Sequence, residues 1–310
     1  MKNELHISLA EPRGFCAGVD RAIMIVEKAL EKYGSPIYVR HEVVHNEYVI
    51  KDLREKGAIF VEDMEAIPKG SHVIYSAHGV SKLVRKKAND FNLIPIDATC
   101  PLVTKVHNEV AQKNAQGNII IMIGHDGHPE VEGTMGQVDV KDKIKLVQTQ
   151  EDVDNLELGD GEKISYVTQT TLSIDETKGI IKKLKEKYPQ ITGPNKSDIC
   201  YATQNRQDAV RSLVKDNEMI IVLGSSNSSN STRLAELAKQ SGVESILVGN
   251  VDNFDMSLLK NKKKIAITAG ASAPEILVKN LIKKIEKNYN VSINKMNGIK
   301  ENIIFKLPNI

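Results

Sequence analysis

The chain contains three cysteines, Cys16, Cys100 and Cys200, spaced 84 and 100 residues apart. An odd number of thiols with no CxxC pair suits neither a disulfide framework nor a structural zinc site. Each Cys stands between a short strand-like run and an amphipathic helical pattern. The three junctions read HISLAEPRGFC–AGVDRAIMIVEKALEKYG, LIPIDATC–PLVTKVHNEVAQKNAQG and SDIC–YATQNRQDAVRSLVKDN. Thiolates are soft ligands, and three of them from separate segments suit an iron–sulfur cube, which normally takes four. With three, one iron keeps an open coordination position for substrate. The plain alternative is three buried, inert thiols, since Cys is among the most often buried residue types. The matched placement of the three Cys favours the cluster.

Polar loops accompany the cysteines. His45, His78 and His128 fall in loops that follow strand-like runs, and SSNSSNS carries Ser228, Ser229 and Asn230 into a helical pattern. Hydroxyls and amides at a helix start, with its free N–H groups, can hold an anion. One Ser or Asn would suffice for a helix cap, and here all seven residues of the run are Ser or Asn. Thr168, Gln169, Thr170 and Thr171 repeat the theme, as does Ser272. Without a GxxxxGK[ST] or GxGxxG motif, a phosphate or diphosphate smaller than a nucleotide is the expected ligand. Glu130, next to His128 and Pro129, is a candidate proton donor if burial raises its pKa; a solvated loop Glu is the bland reading. His41-Glu42-Val43-Val44-His45 matches HExxH, but it follows PIYVR and contains Val-Val, a strand context in which the two imidazoles would not share a helix face.

These residues need a scaffold. PIYVR, NIIIMIG and EMIIVLG are β-branched runs of the buried parallel type, each after a helical pattern. VIYSAHGVS, ISYVTQTTLS and IAITAGASAP each form a second strand ending in a polar loop. The recurrence predicts an α/β fold of three lobes, each with a small, mostly parallel sheet, which a shared pseudo-threefold axis would relate. The lobes span residues 1–100, 101–199 and 200–290, and 291–310 form a tail expected to pack across lobes or complete a sheet. The carboxyl ends of the strands, where such sheets carry function, would then meet at a central cavity.

Length and composition agree. At 310 residues the chain could form about two domains, and the repeat favours three compact lobes. A net charge of +2 and only 4% aromatic residues argue against nucleic acid as a partner. No apolar run reaches the ~18 residues of a membrane span, and the N-terminus carries no targeting pattern, so the expected location is the cytoplasm.

The motifs PRGFCAGVDRA, YVRHEVVHN, SAHGVS, DATCPLVTKVH, GHPEVEGTMGQ, TQTTLS, DICYATQNRQ, GSSNSSNS and TAGASAP closely resemble the 4-hydroxy-3-methylbut-2-enyl diphosphate reductase family, also called IspH or LytB. The resemblance extends from about residue 5 to about residue 305. It implies a trefoil around a [4Fe–4S] cluster and the last, reductive step of the methylerythritol phosphate route to isoprenoids. By matching motif, Cys16, Cys100 and Cys200 hold the cluster, leaving one iron open. His45, His78, His128, Ser228, Ser229, Asn230 and Ser272 surround the diphosphate. Glu130 supplies a proton, with Thr170 near the substrate hydroxyl, and reduced ferredoxin or flavodoxin is the expected donor. Quinolinate synthase has a similar plan of three lobes and three Cys, but GHPEVEGTMGQ and the SSNSSN loop are not expected in it. A cluster-based redox sensor would call for a basic stripe or helix-turn-helix that this chain lacks.

Overall fold

The computed structural model describes residues 2–159 and 161–310. The strands, in chain order, are β1 (Asn3–Leu9), β2 (Ile37–Arg40), β3 (Ala58–Val61), β4 (His72–Tyr75), β5 (Ile94–Asp97), β6 (Ile119–Ile123), β7 (Ile144–Val147), β8 (Ile164–Thr168), β9 (Met219–Leu223), β10 (Glu244–Val248), β11 (Lys264–Ala269) and β12 (Tyr289–Lys295). Among the described residues they form three sheets, ordered β10-β9-β11-β1-β12, β3-β2-β4-β5 and β7-β6-β8. Every strand pair is parallel. The α/β class and the three small parallel sheets expected from the repeat are both present.

The chain divides into two compact units. The first comprises Met1–Asp20, His45–Lys51 and Tyr201–Ile304 and holds the five-stranded sheet. Alternate residues of its strands face opposite layers. Leu5, Ile7, Ile221 and Ile267 pack on the helix Glu275–Glu286 through Leu277, Val278, Leu281 and Ile285. Ile220, Val222 and Ala266 pack on the helices Tyr201–Leu213 and Ser229–Gln240 through Val210, Leu213, Leu234 and Ala238. Both faces of β9 and β11 are thus covered, which is why these two strands are near-continuous apolar runs. Each fully buried Leu, Ile or Val contributes about 1.5–3 kcal/mol relative to exposure.

The second unit comprises Arg21–Val44, Asp52–Cys200 and Phe305–Ile310 and holds the other two sheets. The helix Pro101–Ala115 covers one face of β6 and β8, with Val106 and Val110 against Ile120, Met122 and Val167. The helix Ile174–Lys187 covers the other, with Ile180 and Leu184 against Ile121, Ile123 and Ile164.

Three local expectations change. The repeat groups residues 3–9 with the first lobe, yet β1 pairs with β11 and β12. Its buried Leu5, Ile7 and Leu9 alternate with exposed Glu4 and His6, so the strand needs one covered face, which the Glu275–Glu286 helix supplies there. The tail begins as β12 and completes this same sheet. No strand leads into Cys200; the approach is made by an isolated bridge between Ser165 and Thr192. The segment 41–45 is a bent loop rather than strand, and it begins at His41 with φ of 60°. Among the described residues, no helix is long and apolar enough to cross a membrane.

Candidate active site

In the second unit the functional side chains form one continuous set. Cys100 caps the helix Pro101–Ala115, and its N–H donates to the Ala77 carbonyl at 3.0 Å, beside His78. The turn at His78 is tight. Gly79 has φ of +78°, and a Cβ there would lie 2.6 Å from His107 Cε1, so only glycine fits. The helix Pro129–Met135 packs on this turn, since a Cβ on Gly133 would lie 3.2 Å from the Gly79 backbone. That packing sets the His78 and His128 rings edge to face, 5.7 Å apart.

His128 caps the Pro129 helix, its Nδ1 accepting from the Glu130 N–H at 3.1 Å. Nδ1 is then the acceptor of the ring, so a neutral His128 carries its proton on Nε2, as a donor would. Glu130 lies within the first helical turn and is only 3% exposed. Thr170, just past β8, donates to it twice: its N–H to Oε1 at 2.6 Å and its Oγ1 to Oε2 at 2.9 Å. The Thr170 carbonyl accepts from the Cys200 N–H at 3.0 Å. Hydrogen bonds and a ring contact thus link Cys200, Thr170, Glu130, His128 and His78, and Cys100 is bonded to Ala77, the residue before His78.

The electrostatics of Glu130 are set by burial. Desolvation lifts its carboxyl from 4.5 to about 7; the two Thr170 bonds pull it down, and Asp198 adds a push upward. A helix N-terminus favours a carboxylate by about 0.3–1 kcal/mol, too little to offset burial here. Near neutral pH this group holds and releases a proton, as a general acid requires. Beneath the turn, burial keeps the His107 imidazole neutral, lowering its pKa from 6.5 to about 4.

The first unit gathers the remaining residues. Cys16 directly precedes the helix Ala17–Tyr33, and its N–H donates to the Ala271 carbonyl at 3.1 Å. The neighbouring Ser272 hydroxyl donates to the His45 carbonyl at 3.0 Å and lies 3.3 Å from the Ser228 hydroxyl. Ser228 caps the Ser229–Gln240 helix. Asn230 is buried, with Oδ1 accepting from the Ala271 N–H at 2.9 Å and Nδ2 donating to Thr203 Oγ1 at 3.3 Å. One amide hydrogen of Asn230 is left for a ligand. Ser229 is half-exposed at the first helical position. His45, Ser228 and Ser272 are buried, and Asn227 Nδ2 lies 3.5 Å from His45 Nδ1. This concentration of hydroxyls at one helix start suits an anion.

The family model for LytB protein matches residues 7–286. The chain belongs to the LytB family. A curated LytB relative from Azoarcus, named 4-hydroxy-3-methylbut-2-enyl diphosphate reductase, is 55% identical over 302 residues, 97% of this chain and 96% of its own. The solved Plasmodium falciparum E-1-hydroxy-2-methyl-but-2-enyl-4-diphosphate reductase superposes with a TM-score of 0.93 at 41% identity, covering 99% of this chain and 96% of that one. A second solved reductase, described as the terminal enzyme of the non-mevalonate pathway, gives a TM-score of 0.66 at 28% identity, covering 91% of this chain and 99% of its own.

The cysteines fit a LytB cluster site in their local chemistry. None forms a disulfide, each is partly exposed, and each directly precedes a helix. Each N–H is fixed to a loop carbonyl: Ala271, Ala77 or Thr170. A thiolate at a helix N-terminus is favoured by the dipole. Among the described residues, no three His, Cys, Asp or Glu side chains are gathered as ligands of a single ion. Gly79, His107 and Thr203 also shape the site, and of these only Gly79 carries a local sequence signal, a glycine between His78 and a strand-like Val that marks a tight turn.

Proposed function

We propose that this chain is a 4-hydroxy-3-methylbut-2-enyl diphosphate reductase, converting its allylic substrate to isopentenyl and dimethylallyl diphosphates. The reaction takes up two electrons and two protons. The C–O bond to the 4-hydroxyl breaks, the oxygen leaves as water, and hydrogen adds to carbon at either end of the allyl unit. Cys16, Cys100 and Cys200 hold a [4Fe–4S] cluster, three lobes supply one ligand each, and a low-potential donor of the ferredoxin or flavodoxin class delivers electrons. When bound, the cluster supplies those electrons and a Lewis-acidic iron for the hydroxyl oxygen.

The chain's own residues bind, orient and protonate. Ser228, Ser229, Asn230 and Ser272, with His45, His78 and His128, take the diphosphate, whose remote binding energy holds the hydroxyl in place. Glu130 delivers the proton that turns hydroxide into water, relayed through the Thr170 hydroxyl. The observation that carries this reading is the buried Glu130–Thr170 pair, joined through the Thr170 carbonyl to Cys200. A buried acid lifted toward neutrality and sharing Thr170 as a hydrogen-bond partner with Cys200, in a chain of the LytB family, supports the role.

Anaerobically purified protein is the test. The reading requires about four irons per chain, lost in Cys100→Ser. Glu130→Gln should keep the iron and lose turnover. Zinc in place of iron, or full turnover by Glu130→Gln, would contradict it.

A further inference from the structure

Past β12 the chain runs without helix or strand from Met296 to Ile310. Within the first unit, its opening stretch lies on the segment that leads to Cys16. The Met296 N–H donates to the Leu9 carbonyl at 3.0 Å. At Gly298 the approach is so close that a Cβ would lie 1.9 Å from the Glu11 carbonyl oxygen. Glu301 then meets Arg206, a guanidinium with 0% exposure on the Tyr201–Leu213 helix.

Arg206 is fully engaged. Nη2 and Nε donate to the Gly14 carbonyl at 2.7 and 3.2 Å, and Nη2 also reaches the Phe15 carbonyl at 3.5 Å. Nη1 donates to the Ala202 carbonyl at 2.9 Å. Glu301 faces the fork with Oε1 at 3.0 Å from Nη1 and Oε2 at 3.2 Å from Nη2, and its Oε1 also accepts from Asn205 Nδ2 at 3.0 Å. Gly14 and Phe15 immediately precede Cys16. Their other side is fixed by the Gly14 N–H on the Ala269 carbonyl and the Cys16 N–H on the Ala271 carbonyl, both at 3.1 Å.

We infer that Arg206 and Glu301 are positioning residues for Cys16, the tail carboxylate locking a buried guanidinium that clasps the Gly14–Phe15 backbone. A guanidinium taken wholly out of water needs an opposite charge; without one it turns outward and releases what it holds. Lys could not replace Arg206, since one ammonium cannot reach two backbone carbonyls and both carboxylate oxygens in a planar fork. The tail thereby acts on one cysteine in particular, by fixing the loop just before it. The inference rests on the reading of Cys16 as a cluster ligand, but its test does not require catalysis.

The experiment compares thiol alkylation in the metal-free full chain, read for each cysteine by peptide mass spectrometry. Glu301→Ala should raise labelling of Cys16 by about tenfold relative to Cys100 and Cys200, the factor that ~1.4 kcal/mol of loop opening carries. Glu301→Gln, which keeps an acceptor but loses the charge, should raise it less and serves if the alanine variant does not fold. An unchanged Cys16-to-Cys100 ratio would overturn the inference. So would an equal rise at all three cysteines, which means only general loosening. Selective Cys16 labelling in a protein without reductase activity would uphold the clasp while removing the functional reading.

Discussion

Replacing Glu130 with Gln should tilt the pH dependence of stability in a direction that burial dictates. The Glu130 carboxyl rises from 4.5 to about 7 on folding. Between those values the folded chain keeps a proton that the unfolded chain has released, so this group stabilises the native state at low pH and ceases to do so as pH rises. At about 1.36 kcal/mol per pH unit, the change is about 3 kcal/mol. His107 acts in the opposite sense. Burial, aided by Arg85 and opposed by Asp97, lowers its pKa from 6.5 to about 4. There the unfolded chain takes up the proton first, so stability is lost as pH falls through that range, also by about 3 kcal/mol. The two contributions largely cancel in the native chain. Gln at position 130 reproduces the protonated carboxyl, its oxygen accepting from the Thr170 N–H and its amide donating to Thr170 Oγ1. Denaturant unfolding of the metal-free full chain, followed by circular dichroism from about pH 4.5 to 8, isolates the Glu130 contribution as variant minus wild type. The variant should gain about 3 kcal/mol on wild type across that range. A difference that stays flat would mean the carboxyl titrates normally, and Glu130 would lose its standing as a neutral-range acid.

Other outcomes follow from the same geometry. Thr170→Val removes the relaying hydroxyl and a hydrogen bond that lowers the Glu130 pKa but keeps the backbone N–H; turnover should fall, and the alkaline limb of the remaining pH–rate profile should move to higher pH. Gly79→Ala places a Cβ 2.6 Å from His107 Cε1 at φ of +78°, so it should destabilise the chain by about 1–3 kcal/mol in thermal unfolding. Gly127→Ala, at φ of +71° with nothing within 4 Å, bears only the backbone strain and should lose less. Asn230→Ala abandons the Ala271 N–H and Thr203; calorimetry should find inorganic pyrophosphate bound about tenfold more weakly, with iron content unchanged.

Much of this was legible in the residues. The buried runs at β6 and β9 name themselves because both sheet faces are covered, and Gly34 and Gly117, at φ of +78° and +84°, stand just past helix ends as their position suggests. Glu130 was a candidate only as a neighbour of His128. Its burial depends on Thr170, 40 residues later, and no local pattern encodes that. The placement of β1 was illegible for the same reason, since its partners begin at residues 264 and 289. The Arg206–Glu301 pair spans 95 residues and joins a helix to a tail without periodicity. Near-neighbour chemistry is written in spacing, whereas burial and long-range charge pairing are properties of the assembled fold.

Anaerobic turnover of (E)-4-hydroxy-3-methylbut-2-enyl diphosphate by the iron-loaded chain with a chemical reductant is the most direct test of the proposed activity. Both isopentenyl and dimethylallyl diphosphates should form at the expense of substrate, with no turnover by Glu130→Gln. Unchanged substrate, with the iron cluster intact, would contradict the account.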